Sequence, residues 1–152
     1  MRLPKGITGF RMARDAPLPN VDLRTFTGLT YAAAHMIAAE VVAFAPEVDT
    51  IRNFHIAVLP TPKYTRSILC NGVHPVIAFV RDRCESSPPD FIDAPNLRRV
   101  YEQTGQFRVL KQSDLNSYPH ANMLAELGKA EIAQIHFWKP QRIGDIVFNH
   151  WD

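Results

Sequence analysis

Cysteine is scarce in this 152-residue chain, glycine is sparse, and neither sign of charge dominates. The two cysteines, Cys70 and Cys84, form no CxxC pair, so neither a disulfide framework nor a zinc module is indicated. They read as reduced thiols of a cytosolic protein, although one pairing between them stays open. The glycines are scattered, and Gly6 and Gly9 lack the preceding strand and following helix of a phosphate-cradling loop. A formal charge of +2, from 17 basic and 15 acidic residues, falls short of the concentrated positive field of a dedicated nucleic-acid binder. No nucleic-acid partner is expected. Long hydrophobic runs are also missing: the best, Tyr31 to Phe44, is broken by His35 and Glu40 and is too short for a membrane span. The opening residues break up before a signal-peptide core can form, so the expected location is the cytoplasm.

What is present is an ordinary globular composition, 46% hydrophobic and 21% charged. A chain of this length buries about 68–70% of its unfolded surface, enough for one domain over residues 1–152 without staples. Residues 1–22, with Pro4, Gly6, Gly9, Pro17 and Pro19, form an irregular arm that Phe10 can anchor to the core. Leu29, Ala33, Met36, Ile37, Val41 and Phe44 recur at helical spacing, which predicts a helix from about Asp22 or Thr25 to Ala45, stopped by Pro46. Alternation in Phe54–Leu59 and the run Tyr64–Cys70 predict two strands. Asn71-Gly72 suggests a type I′ turn into a third strand within Val73–Val80, beginning at Val76 or bulged at Pro75.

Residues 81–95 read as a surface loop with a short strand at Phe91-Ile92. Pro95 opens a helix ending before Gly105 with Val100 and Tyr101 inward, and Phe107–Leu110 is a further strand. Residues 112–121 are polar and irregular. Lys129–Trp138 is a helix with Ile132, Ile135 and either His136 or Trp138 inward, and Pro140 ends it. The tail carries Ile143, Ile146, Val147, Phe148 and Trp151 at helical spacing, more apolar surface than a frayed terminus holds. The order of elements is that of an α+β fold: an antiparallel sheet of three to five strands with helices packed mainly on one face.

No motif dictates a chemistry. Cys70, His55 and His74 lie on or beside adjacent strands and are the best metal or thiol–imidazole candidates, but no fourth ligand is suggested. Cys84 follows Arg81-Asp-Arg83, whose cations would lower a thiol pKa. Asp82, Glu85, Asp90 and Asp93 cluster in a proline-containing loop and read as solvated; arginines 81, 83, 98, 99 and 108 lack the interleaved aromatics of a single-strand binder. No metal, cofactor or catalytic residue is assigned. Both tryptophans sit near the C-terminus, where they either complete the core or form an aromatic patch for a protein partner.

The opening Leu3-Pro-Lys-Gly-Ile-Thr-Gly-Phe10 and the closing Trp138-Lys-Pro, Ile143-Gly-Asp-Ile-Val-Phe-Asn149 and Trp151-Asp152 resemble small bacterial proteins of the immunity type found beside polymorphic toxins. The resemblance implies a compact cytoplasmic α+β protein that binds and blocks a cognate toxin. On that reading Asp82, Glu85 and Asp90 are the expected contacts with a basic partner surface, since loops often carry recognition. The alternative is a small enzyme that uses Cys70 or Cys84 with a histidine; a third is a self-associating structural protein.

Overall fold

The computed structural model describes residues 1–41, 43–45, 52–82 and 88–151. The fold is α+β. Strands β1 (Ala43–Ala45), β2 (Phe54–Pro60), β3 (Thr65–Asn71), β4 (Val76–Arg81) and β5 (Phe91–Ile92) form an antiparallel sheet in sequence order. A sixth, β6 (Arg108–Val109), pairs parallel with the first half of β4, beside the place where β5 pairs with its second half.

Helices α1 (Leu23–Met36) and α2 (Pro95–Glu102) cover one face of the sheet, whereas α3 (Gln112–Leu115), α4 (Lys129–Trp138) and α5 (Ile143–Val147) cover the other. This corrects the expectation of helices mainly on one face. The physical reason is visible in β2, where Phe54, Ile56 and Val58 face the α4–α5 side and the equally apolar Ala57 and Leu59 face α1 and α2. A strand apolar at successive positions must be covered twice.

The first helix is shorter than its apolar spacing suggests. Ala38 adopts φ 55°, Ala38 N–H donates to the His35 carbonyl and Ala39 N–H to the Ala34 carbonyl. This is a Schellman ending built without glycine, so the sequence gives no stop signal. Ala43–Ala45 leave the expected helix and pair with β2. Pro46 lies outside the described residues. At the start, Asp22 accepts from Thr25 N–H at 3.1 Å and from its hydroxyl at 2.7 Å, which caps the helix.

The β3–β4 connection is another correction. Neither Asn71 nor Gly72 has the positive φ of a type I′ turn. Asn71 instead ends β3 and its Oδ1 accepts from Val73 N–H and His74 N–H, both at 2.9 Å, so the side chain shapes a longer loop. Pro75 precedes β4, as its missing donor requires.

Both chain ends are fastened by a buried polar belt. Nδ2 of Asn53 and Nδ2 of Asn71 each donate to the carbonyls of Ile7 and Val147, at 2.8–3.1 Å. Asn149 N–H donates to Asn53 Oδ1 at 2.8 Å, and Asn149 Nδ2 reaches the Thr8 carbonyl at 3.1 Å. Glu131, 1% exposed on α4, accepts from Gly6 N–H, Thr8 N–H, the Thr8 hydroxyl and Gly128 N–H. The arm makes no sheet ladder, so these side chains satisfy backbone groups that burial would otherwise leave orphaned.

Glu131→Gln should lower unfolding free energy by about 2 kcal/mol, read as a reduced urea midpoint, because its amide must turn a donor toward backbone N–H groups. An unchanged midpoint would show that the carboxylate does not hold the arm. At Gly144 on α5 an added Cβ would lie 2.2 Å from Phe91 Cε2. Gly144→Ala is therefore expected to cost about 3 kcal/mol in the same assay.

Candidate functional site

The last turn of α4 carries the most exposed large aromatic surface among the described residues. Glu131 and Ile135, four apart, face the core, which leaves Phe137 75% and Trp138 40% exposed. Lys139 leaves the helix with φ 51° before Pro140, so the turn ends where proline requires. Trp138 is nevertheless fixed: its Nε1–H donates to Gln134 Oε1 at 3.0 Å, and its ring lies parallel to Trp151 at 6.4 Å with an interplanar angle of 3°. Trp151 is 8% exposed and contacts Phe10 of the arm at 6.4 Å. Phe137 meets Trp138 edge-on at 5.2 Å. The tail completes the core as expected, with Ile143, Ile146, Val147 and Phe148 buried, but only one tryptophan joins it. Trp138 rests on that core and presents an open face.

The acidic residues expected to meet a partner occupy the far end of β4. Asp82 is exposed, with φ 60°; its N–H donates to the Thr65 carbonyl and its own carbonyl accepts from the Ser67 hydroxyl at 2.6 Å. Asp90 is exposed and ion-paired with Arg81 at 2.9 Å. Glu85, like Arg83 and Cys84, lies outside the described residues. Arg81 neutralises part of the acidic field that Asp82 and Asp90 would otherwise present. Arg98 pairs with Glu102 one turn along α2, and Arg99 and Arg108 are exposed on different elements.

The β2–β3 register sets His55 directly opposite Cys70, so the sequence-based pairing of these two is geometrically realised. His74 is diverted to the arm, its Nε2 2.8 Å from the Lys5 carbonyl oxygen. Cys70 is a free thiol, fully buried, and burial pushes its pKa far above the ordinary 9.0. A thiol held protonated and shielded from solvent is not a nucleophile. No cluster of three His, Cys, Asp or Glu suited to a metal ion occurs among the described residues.

Two clefts flank the arm. One, of about 300 Å3, has Lys5, Arg11, Asp15 and Glu131 on its walls; Arg11 is engaged with carbonyls of its own loop and Glu131 with the belt. The other, of about 430 Å3, lies between the arm, Val21 and the β3–β4 loop, with Asn53 and His55 among its lining. Sequence reasoning missed both the belt and this cleft, because Asn53, Asn71 and Asn149 share no local pattern.

No protein-family model, curated protein or solved structure matches the chain.

Burial also pushes the Tyr101 hydroxyl pKa above its ordinary 10.0, against the opposing hydrogen bond with Thr30. For both groups the folded pKa exceeds the unfolded one, so their stabilisation is complete below the unfolded pKa and is lost as pH rises. Unfolding free energy should therefore fall above about pH 9, and Cys70→Ala should flatten the slope between about pH 9 and 10 by up to about 1.4 kcal/mol per pH unit. Identical slopes for the two proteins, in urea titrations across that range, would contradict this burial.

Proposed function

We propose that the chain is a non-catalytic binding protein that engages a protein partner through Phe137 and Trp138, and that the partner is a cognate toxin which it blocks in the bacterial cytoplasm. The observation that carries the reading is the exposed aromatic pair set on a buried foundation: Phe137 is 75% exposed, while the ring beside it is stacked on Trp151. An aromatic anchor already ordered in the free protein loses little side-chain freedom on binding. The immunity reading is supported by where the resemblance falls. Leu3–Phe10, Trp138-Lys-Pro and Trp151 are the segments that build this surface, through Phe10, Trp138 and Trp151.

Asp82, Glu85 and Asp90 are proposed as peripheral contacts with basic groups of the same partner. Their share is reduced by the Arg81–Asp90 pair, which is exposed and worth little by itself. The alternative of a cysteine- and histidine-dependent enzyme is not favoured at Cys70, which is buried in the core.

Phe137→Ala should leave the unfolding free energy, read from urea titration, within about 0.5 kcal/mol of the parent, since the ring is exposed. It should weaken the partner complex by about 2 kcal/mol or more, roughly 30-fold, by calorimetry on the protein captured from the producing cell. Toxicity of that partner when expressed alone, relieved by the parent chain and not by the variant, is the result expected of an immunity protein. Equal affinity of parent and variant would remove the aromatic site. A harmless partner would keep the binding site and remove the toxin.

A further inference from the structure

We propose that the 430 Å3 cleft beneath the β3–β4 loop binds a small neutral molecule, largely apolar, with one hydrogen-bonding edge and the size of indole. Leu18, Val21, Leu23 and Val73 give the cleft apolar walls, and Asn53 and His55, both 7% exposed, place a carboxamide and an imidazole in its lining. An apolar-walled cleft with a few polar groups has the general form of a small-molecule site. Its volume of about 430 Å3 falls within the usual range of small-molecule pockets, about 300–1,000 Å3.

Charge selects the ligand class. No lysine, arginine, aspartate or glutamate lines this cleft among the described residues, whereas the neighbouring cleft carries four such residues. A charged ligand would lose its hydration here without gaining an opposite charge. A neutral ligand loses little, and its polar edge finds the side-chain amide of the exposed Asn20.

The cleft is also held open by its own backbone. The side chain of Asn53 is fixed by bonds to Ile7, Val147 and Asn149, Gly72 N–H donates to the Asn53 carbonyl at 2.8 Å, and Val21 N–H donates to the Gly72 carbonyl at 2.9 Å. Three separate segments are thereby locked around one space. Gly9, at φ 85°, keeps a side chain out of the rim, where a Cβ would come within 3.3 Å of Asn53 Cβ. Such preorganisation lowers the ordering cost of binding. None of these residues belongs to the aromatic surface of α4, so this site and the protein-binding reading stand or fall separately.

The test is a titration of the 15N-labelled full chain with indole, alongside indole-3-acetate and tryptamine as charged analogues of the same ring. The expected result is saturable shifts at the amides of Gly9, Gly72 and Val73 and at the Asn53 side-chain amide. Both charged analogues should bind about tenfold or more weakly. Val73→Trp, at a half-buried wall position, should abolish the shifts caused by indole while leaving the rest of the spectrum folded; Leu18→Trp serves the same purpose should the first variant not fold. Absence of saturable binding by indole, shifts that map elsewhere, equal affinity for the charged analogues, or undiminished binding by a folded, filled variant would each overturn the proposal.

Discussion

The buried polar belt joining the arm, the sheet and the tail is the constraint on which the other features depend. The carbonyls of Ile7 and Val147 are each shared by the amides of Asn53, just before β2, and Asn71, at the end of β3, so one pair of side chains fastens both ends of the chain to the sheet. Glu131 completes the belt from α4, where its carboxylate gathers donors from Gly6, Thr8 and Gly128. Each member is buried and has its partners, and removal of any one leaves polar groups without water or protein to bond. Irregular backbone thus becomes core: Leu3 and Ile7 pack with Phe54, Leu69 and Ile146 although the arm pairs with no strand.

Two surfaces inherit their geometry from this fastening. Asn149 holds the tail against Asn53, and Trp151, two residues on, becomes the floor on which Trp138 stacks. Phe137 is then displayed from a helix that Glu131 has tied to the arm. On another part of the belt, the fixed Asn53 and the Gly72 and Val21 bonds set the walls of the uncharged cleft. The same network that stabilises the ends therefore prepares both candidate binding surfaces.

Much of the architecture could be read from the sequence where local signals were strong. Helix α4 occupies Lys129–Trp138 as expected, between Gly128 and the stop at Pro140, and β2, β3 and β5 fall on the expected apolar runs. The misses have specific causes. Helical spacing continues through Val41 and Phe44, but Ala38 turns the chain left-handed without the glycine that normally marks such a turn. Asn71-Gly72 has the composition of a tight turn, yet the asparagine is committed to the belt and the hairpin is longer. The polar segment read as irregular contains α3, whose single buried residue, Leu115, gives no periodicity. The belt itself was illegible because its asparagines are separated by many residues and acquire meaning only in three dimensions. The tryptophans were legible as alternatives, core or surface; the structure divides them, one to each.

Native-state hydrogen exchange at the amides of Gly6, Thr8 and Asn149 tests the central claim most directly, since each donates to a side chain of the belt. If the belt unites both ends with the sheet, these three amides exchange only through global unfolding, with the same opening free energy and denaturant dependence as Leu69 and Ala78 in the central strands. Faster exchange at Gly6 and Thr8, through an opening that leaves the sheet amides protected, would show the arm to be an independent, weakly held unit and would contradict the account.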